Sequence, residues 1–411
     1  MVVSYIKKIN RLFSLQLMIL LLLADVIIDP GNLIFHAKYI LFALVFLFWI
    51  PEVLHKKPEI PVKLWWAVFF VSVFMPFYAL SISILNHSLQ NTPPGTLVYF
   101  NSFFFFAVIL VIVSEKTDLT TYFNYTSLLI VILTLGLYFL LLLNPGNFGK
   151  LYHYFVEEKQ TTVYALRDYG KVTLLMIFYK TSPLLVFPLS YYLYMLFIRN
   201  RKIRISVVMV FFLSVTLFLS GTRANLLSMI IIWFFYFGFF LFRKSKISFL
   251  WIVAGFTVIL FFILPPLAEG LFNRNEASNV IKFGYLSSYS NFFNHHWISL
   301  LLGQGVGGSF YAAGLDRWID VSELTYLELI RVWGLPVGLS FIVFLFLPLI
   351  KEIRNKNISH LFIAYLAYLF ISGTNPLLMS STGMLVLVYV FSKVFFIKDK
   401  MIFQNAKHQV Q

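Results

Sequence analysis

The chain has 411 residues, of which 60% are hydrophobic and only 12% charged, with a mean hydropathy of +0.84. Soluble domains carry about a quarter charged residues, so this composition excludes an ordinary soluble enzyme and indicates a polytopic membrane protein. The net charge of +15 raises the question of a polyanionic partner, and the absence of cysteine excludes disulfides and thiolate chemistry.

A run of about 20 apolar residues crosses the ~30 Å hydrocarbon core as a helix. Helices are expected because lipid offers backbone groups no partner. The opening "MVVSYIKKINRLFSLQLMILLLLADVII" starts basic, continues apolar and lacks a small-residue cleavage site, so it reads as a retained first span. About twelve spans are expected in one membrane domain covering 1–411. They lie at roughly 12–28, 33–53, 64–85, 97–114, 123–144, 182–198, 204–220, 222–242, 248–266, 332–350, 358–373 and 382–397. Placing both termini in the cytoplasm puts Lys7, Lys8, Lys56, Lys57, Arg199, Arg201, Lys202, Arg204, Arg243, Lys351, Arg354 and Lys393 inside, as the positive-inside rule requires. The basic and acidic residues left outside cancel, so the whole +15 falls on the cytoplasmic face. Topology accounts for the charge, and no nucleic acid is implied.

Asp25, His36 and Lys38 lie near the outer ends of the first two spans, where pairing or snorkelling accounts for them. Two long segments are expected outside, 145–181 and the larger 267–331. Loops of such length are usually functional or disordered, and these are too rich in aromatics and glycine for disorder. Thr173–Tyr179 ("TLLMIFY") is too short to span and is expected to lie in the interface. The larger loop is expected to form short amphipathic helices. No repeat between halves is visible, which argues against an inverted-repeat transporter. Neither a P-loop, a dinucleotide fingerprint nor zinc-ligand spacing is present, so no cofactor is expected.

Five arginines fall outside: Arg167, Arg223, Arg274, Arg317 and Arg331. Arginine forks onto phosphate oxygens and keeps its charge when partly buried. Arg223, in a hairpin of Ser220, Gly221 and Thr222, sits near headgroup depth. It reads either as a snorkelling lipid contact or as part of a pyrophosphate clamp. In "IDVSELTYLELIRVWGLPVG" (Ile319–Gly338), Glu323, Leu327 and Arg331 are spaced to share one side of a helix over Val321–Arg331. Glu328 and Arg331 are spaced as an i, i+3 ion pair, and Gly334 and Pro336 are expected to bend the junction. Glu323 reads either as an interfacial charge or as a general base for a sugar hydroxyl. Leu302–Phe310 ("LGQGVGGSF") lacks the lysine of a phosphate loop and reads as a tight turn. Asn294–Trp297 ("NHHW") reads as an interfacial helix, because adjacent helical side chains diverge by about 100° and no third metal ligand is near.

Four segments together resemble the O-antigen polymerase and ligase superfamily (Wzy-type polymerases and WaaL-type ligases). They are "LSGTRANLL" (Leu219–Leu227), "LLGQGVGGSF" (Leu301–Phe310), "SELTYLELIRVWGLPVG" (Ser322–Gly338) and "SGTNPLLMSSTGM" (Ser372–Met384). Their order late in a roughly twelve-span chain carries the resemblance, which covers about Tyr179 to Phe396. It implies an all-α, GT-C-like membrane glycosyltransferase of the bacterial inner (plasma) membrane, acting on the outer face without metal or nucleotide. The implied substrates are undecaprenyl-pyrophosphate-linked oligosaccharide repeat units, polymerised into O-antigen of lipopolysaccharide, capsule or exopolysaccharide. A chain-length regulator and a flippase of the same pathway are implied partners. The family's pyrophosphate-holding arginine maps onto Arg223 in Arg223-x-x-x-Leu227. Ligases carry a histidine eleven positions before a Gly-x-x-Gly. Here that position, counted back from Gly334, is Glu323, and the glycine motif is Gly334-x-x-x-Gly338, which lowers the ligase alternative. Arg274 and Gly284 match a polymerase spacing of about ten. The resulting expectation is a polymerase in which Arg223, with Arg274, Arg167, Arg317 or Arg331, holds pyrophosphate and Glu323 serves the acceptor hydroxyl. A ligase or other outer-face transferase, and a lipid-linked oligosaccharide flippase, are the alternatives.

Overall fold

The computed structural model describes residues 2–91, 100–169, 172–244, 277–355 and 359–397. Apolar helices occupy eleven of the twelve expected segments, and the twelfth, 248–266, lies outside the described residues. We label them α1 (Val2–Ile28), α2 (Lys38–Lys56), α3 (Val62–Leu85), α4 (Phe100–Ser114), α5 (Leu119–Leu143), α6 (Ser182–Arg199), α7 (Ile203–Leu219) and α8 (Arg223–Lys244). After the second long segment come α11 (Thr325–Arg354), α12 (His360–Ser372) and α13 (Ser381–Phe396). Six of these are long and apolar enough to cross a membrane by length and composition: α2, α3, α5, α6, α8 and α11. The chain is a helical membrane protein.

The helix α13 forms the centre, with every residue from Ser381 to Phe391 buried. Phe391 stacks on Phe344 at 4.4 Å between ring centroids, and Tyr389 stacks on Phe123 at 4.8 Å. The outer helices instead turn large apolar side chains outward: Leu47, Trp66, Phe211 and Leu143 are exposed. In lipid such faces need no cover, and helices associate through close packing and internal hydrogen bonds. Trp333 Nε1 accordingly donates to the Met75 carbonyl at 2.8 Å, and Ser190 donates to the His360 carbonyl at 2.6 Å.

The connections sort to two ends. At one, Lys56 pairs with Glu115 and Lys393 with Asp118, each at 2.9 Å. These are groups expected to share the cytoplasmic side. The other end carries both long segments. There the first forms an antiparallel hairpin of β1 (Thr162–Tyr169) and β2 (Val172–Tyr179), with Thr162 opposite Tyr179. The all-α expectation is thus modified, and "TLLMIFY" is a strand with a partner in sequence. Thr181 Oγ1 donates to the Ile27 carbonyl at 2.7 Å, fixing the hairpin to the end of α1.

The second segment contains α9 (Ala277–His295), the short α10 (Trp297–Leu302) and a small sheet of β3 (Phe310–Ala312) and β4 (Arg317–Ile319). Its glycines serve close backbone approach. Gly303 (φ +88) faces Gly334 (φ +73), and a Cβ on Gly334 would lie 2.2 Å from the Leu301 carbonyl oxygen. Gly334 breaks the helical geometry inside α11 as expected. Pro336 has no N–H for the Val332 carbonyl four residues back. That carbonyl instead accepts from Gly305 N–H at 3.1 Å, and the Arg331 carbonyl accepts from Gln304 N–H at 2.7 Å. The bend therefore hands two helix carbonyls to the loop.

Candidate functional site

Two of the expected site residues, Arg223 and Glu323, interact with the helix α9. Arg223 opens α8 directly after the tight turn at Gly221 (φ +61), where a Cβ would press within 2.4 Å of the Met176 side chain of β2. From there Arg223 Nη1 donates to Asn279 Oδ1 of α9 at 2.8 Å. Asn225, fully buried, donates to the hydroxyls of Ser182 and Ser220, each at 3.0 Å. Thr222 Oγ1 and Asn225 Oδ1, on either side of Arg223 in sequence, are buried atoms without a hydrogen-bond partner among the described residues.

Glu323 lies two residues before α11, which starts at Thr325. The expected helix over Val321–Arg331 is therefore shortened, and Glu323 does not share a helical stripe with Leu327 and Arg331. The physical reason is tertiary: Thr325 N–H bonds the Gly373 carbonyl at 3.2 Å, and its hydroxyl donates to the Asn375 carbonyl at 2.8 Å. The chain before it is thereby held out of helical continuation. Glu323 is exposed, yet the protein around it desolvates the carboxyl and raises its pKa above the ordinary range, with Lys282 of α9 pulling the other way. Tyr285, one turn further along α9, is pushed up to about 12 by burial and by Glu323, with Arg317 opposing. Arg317 is exposed on β4. Glu323, Lys282, Tyr285 and Arg317 thus form one electrostatic neighbourhood.

Arg331 is different. It is fully buried, with Nε and Nη2 on the two Glu328 oxygens at 2.9 and 2.5 Å. Its remaining donors go to the Gly308 and Asp320 carbonyls, each at 2.6 Å, and to Gln304 Oε1. The Phe310 ring lies 4.9 Å from the guanidinium carbon. Tyr289 donates to Glu328 Oε2 at 2.6 Å and accepts from Ser322 at 2.6 Å. A guanidinium has five N–H donors, and all five are engaged. The expected Glu328–Arg331 pair forms, but it leaves Arg331 nothing with which to fork onto a phosphate. Its geometry is that of a lock between the loop and the bent helix.

Arg167 lies on β1 with its backbone opposite Leu174, and its side chain is outside what the structure describes. Arg274 lies outside the described residues. His295 ends α9 and Trp297 begins α10, so "NHHW" is a break between two helices. No group of three potential metal ligands occurs among the described residues. Asp25 and Lys38 are both buried, and Lys38 Nζ donates to the Pro30 carbonyl at 2.5 Å. Beside them Asp29 accepts the backbone N–H groups of Leu33, Ile34 and Phe35, which identifies this knot as a turn built to hold its shape.

Beyond Tyr289 on α9 an open cavity of about 590 Å³ lies between α9, the end of α3 and the small sheet. Its walls include Asn86, Asn291, Ser299, Ser309, Tyr311 and Trp318, and Gln304 and Phe310 form the wall shared with Arg331. Among the described residues no Asp, Glu, Lys or Arg lines it. Neither the roles of Asn279, Tyr289 and Gln304 nor this cavity are legible in the sequence, because the lining residues run from 86 to 318 without any shared spacing. Comparison with family models, with curated proteins and with solved structures finds no match to this chain.

Proposed function

We propose that the chain is a membrane glycosyltransferase that polymerises oligosaccharide units carried on a polyprenyl pyrophosphate, undecaprenyl pyrophosphate in bacteria. The α9 end would face the outside of the bacterial plasma membrane, with twelve spans in a GT-C-like arrangement and both termini in the cytoplasm. The observation that carries this reading is that Arg223 and Glu323, a hundred residues apart, address one turn of α9. Arg223 bonds Asn279, and Glu323 lies within electrostatic reach of Lys282; residues three apart on a helix rise only about 4.5 Å.

Such an arrangement suits a displacement at an anomeric carbon. The acceptor hydroxyl attacks, and the Glu323 carboxylate takes its proton. The bond from the anomeric carbon to the pyrophosphate oxygen breaks, and the departing charge falls to Arg223. Thr222, whose hydroxyl has no hydrogen-bond partner among the described residues, could donate to the same anion. The growing chain passes to the non-reducing end of a new lipid-linked unit, and release of lipid pyrophosphate drives the step. Arg317 adds positive potential on the Glu323 side. In place of a phosphate clamp, Arg331 has a positioning role, holding Glu328, Tyr289 and the loop that carries Glu323.

The test is polymer formation by Arg223→Ala and Glu323→Gln variants shown to be inserted at normal levels. Both are expected to lose the polymer ladder. Full-length polymer from either variant overturns the assignment of that residue, and from both overturns the reading.

A further inference from the structure

We infer that the cavity beside α9 is a subsite for uncharged sugar rings of the oligosaccharide, separate from the place where pyrophosphate is held. This rests on the transferase reading above. The cavity volume of about 590 Å³ falls within the roughly 300–1,000 Å³ of small-molecule sites. Its lining is unusual for a chain of net charge +15, because it presents amides, hydroxyls and aromatic rings and, apart from two histidines, no titratable cation or anion. A pyrophosphate would find no counter-charge there. A pyranose presents hydroxyls at its rim and C–H groups on its faces, and amides and aromatics match those two chemistries.

The polar groups are open for such a ligand. The side chains of Asn291, Ser299 and Ser309 and the Trp318 indole N–H make no hydrogen bond among the described residues. The aromatic wall is preset. Tyr311 and Trp318 are direct cross-strand partners in the small sheet, with ring centroids 6.1 Å apart at 70°. Trp318 is 68% exposed and Tyr311 44% exposed, so both rings are accessible to a ligand. The back wall is rigid, because Arg331 holds Gln304 by its side-chain oxygen while Gln304 Nε2 donates to the Ser309 carbonyl at 2.9 Å. The adjoining α10 exposes Trp297, Ile298, Leu301 and Leu302, an apolar ledge fit for the membrane interface. A sugar tethered to a lipid would enter at that level.

The experiment titrates detergent-solubilised full-length protein with neutral oligosaccharide fragments, prepared by partial acid hydrolysis of the surface glycan of the cells that make it. Binding is followed by saturation-transfer NMR, with inorganic pyrophosphate as competitor. Wild type is expected to bind, and pyrophosphate not to compete. Trp318→Ala is expected to weaken binding at least tenfold and Asn291→Ala about threefold to tenfold, while Trp318→Phe retains most of it. Arg223→Ala and Glu323→Gln are expected to bind as wild type does. Absence of binding by wild type, wild-type affinity in both Trp318→Ala and Asn291→Ala, or displacement by pyrophosphate overturns the subsite. Trp318-dependent binding by a wild-type protein that makes no polymer would leave the subsite standing and refute the transferase reading. Wild-type polymer yield from the Trp318→Ala/Asn291→Ala double variant would do the reverse.

Discussion

Replacing Arg331 by Met would leave the Glu328 carboxylate buried, with Tyr289 as its remaining donor among the described residues. Arg331 is 0% and Glu328 1% exposed, so solvent screens neither charge. Breaking one side of a buried pair costs about 3–5 kcal/mol, whereas replacing both partners by apolar residues is often close to neutral. The lost bonds tie Gln304, Gly308 and Asp320 to the bent helix. The cost should therefore appear as local opening of residues 303–322 while the central α13 stays closed. At about 1.4 kcal/mol per factor of ten, backbone amides in that segment should exchange roughly a hundredfold to a thousandfold faster in Arg331→Met. The Arg331→Met/Glu328→Leu double variant should recover much of that protection. Hydrogen exchange read by mass spectrometry on the purified protein, arranged as a double-mutant cycle, isolates the pair. Unchanged exchange in the single variant, or equal loss in single and double variants, would refute the lock.

Four further outcomes follow from the same geometry. Asn279→Ala removes the acceptor that aims Arg223 and should lower the polymerisation rate severalfold, in keeping with about 1 kcal/mol for such a bond. Arg223→Lys keeps the charge but loses the fork, so it should restore only part of the activity lost in Arg223→Ala. Because the Glu323 pKa is raised by desolvation, a base at that position loses its proton-accepting form as pH falls through a value above the ordinary carboxylate range. The acid limb of the pH–rate profile should therefore lie above that range and move higher still in Lys282→Ala, since Lys282 opposes the rise. Gly334→Ala combines a φ of +73° with a Cβ 2.2 Å from the Leu301 carbonyl. It should expose the 303–322 segment to limited proteolysis where a control at Gly149, which has open space for a Cβ, does not.

The eleven described helices are legible because each of their segments has enough consecutive apolar residues to outweigh local preferences, and the Gly334–Pro336 bend is legible because its cause is local. The β1–β2 hairpin is not. An eight-residue apolar run such as "VTLLMIFY" reads equally as a strand or as part of a buried helix. What decides it is the register with "TVYALRDY", a pairing rather than a property of either segment. For the site, the i, i+3 spacing gave the Glu328–Arg331 pair correctly, but spacing says nothing of burial, and burial with full donor use is what removes Arg331 from phosphate duty. The helix start at Thr325 depends on Gly373 and Asn375, residues that periodicity around Glu323 does not contain. Arg223 was placed correctly at a turn, yet its partner Asn279 lies 56 positions away with no motif to announce it.

The central claim is that Arg223 and Glu323 together transfer a lipid-linked glycan onto another lipid-linked unit. The most direct measurement supplies purified protein in liposomes with polyprenyl-pyrophosphate-linked repeat units alone and resolves the products by length. The account predicts a ladder of increasing length from wild type and none from Arg223→Ala or Glu323→Gln. A single transfer onto a lipid A-core acceptor, movement of intact units across the bilayer without bond formation, or an undiminished ladder from either variant would contradict it.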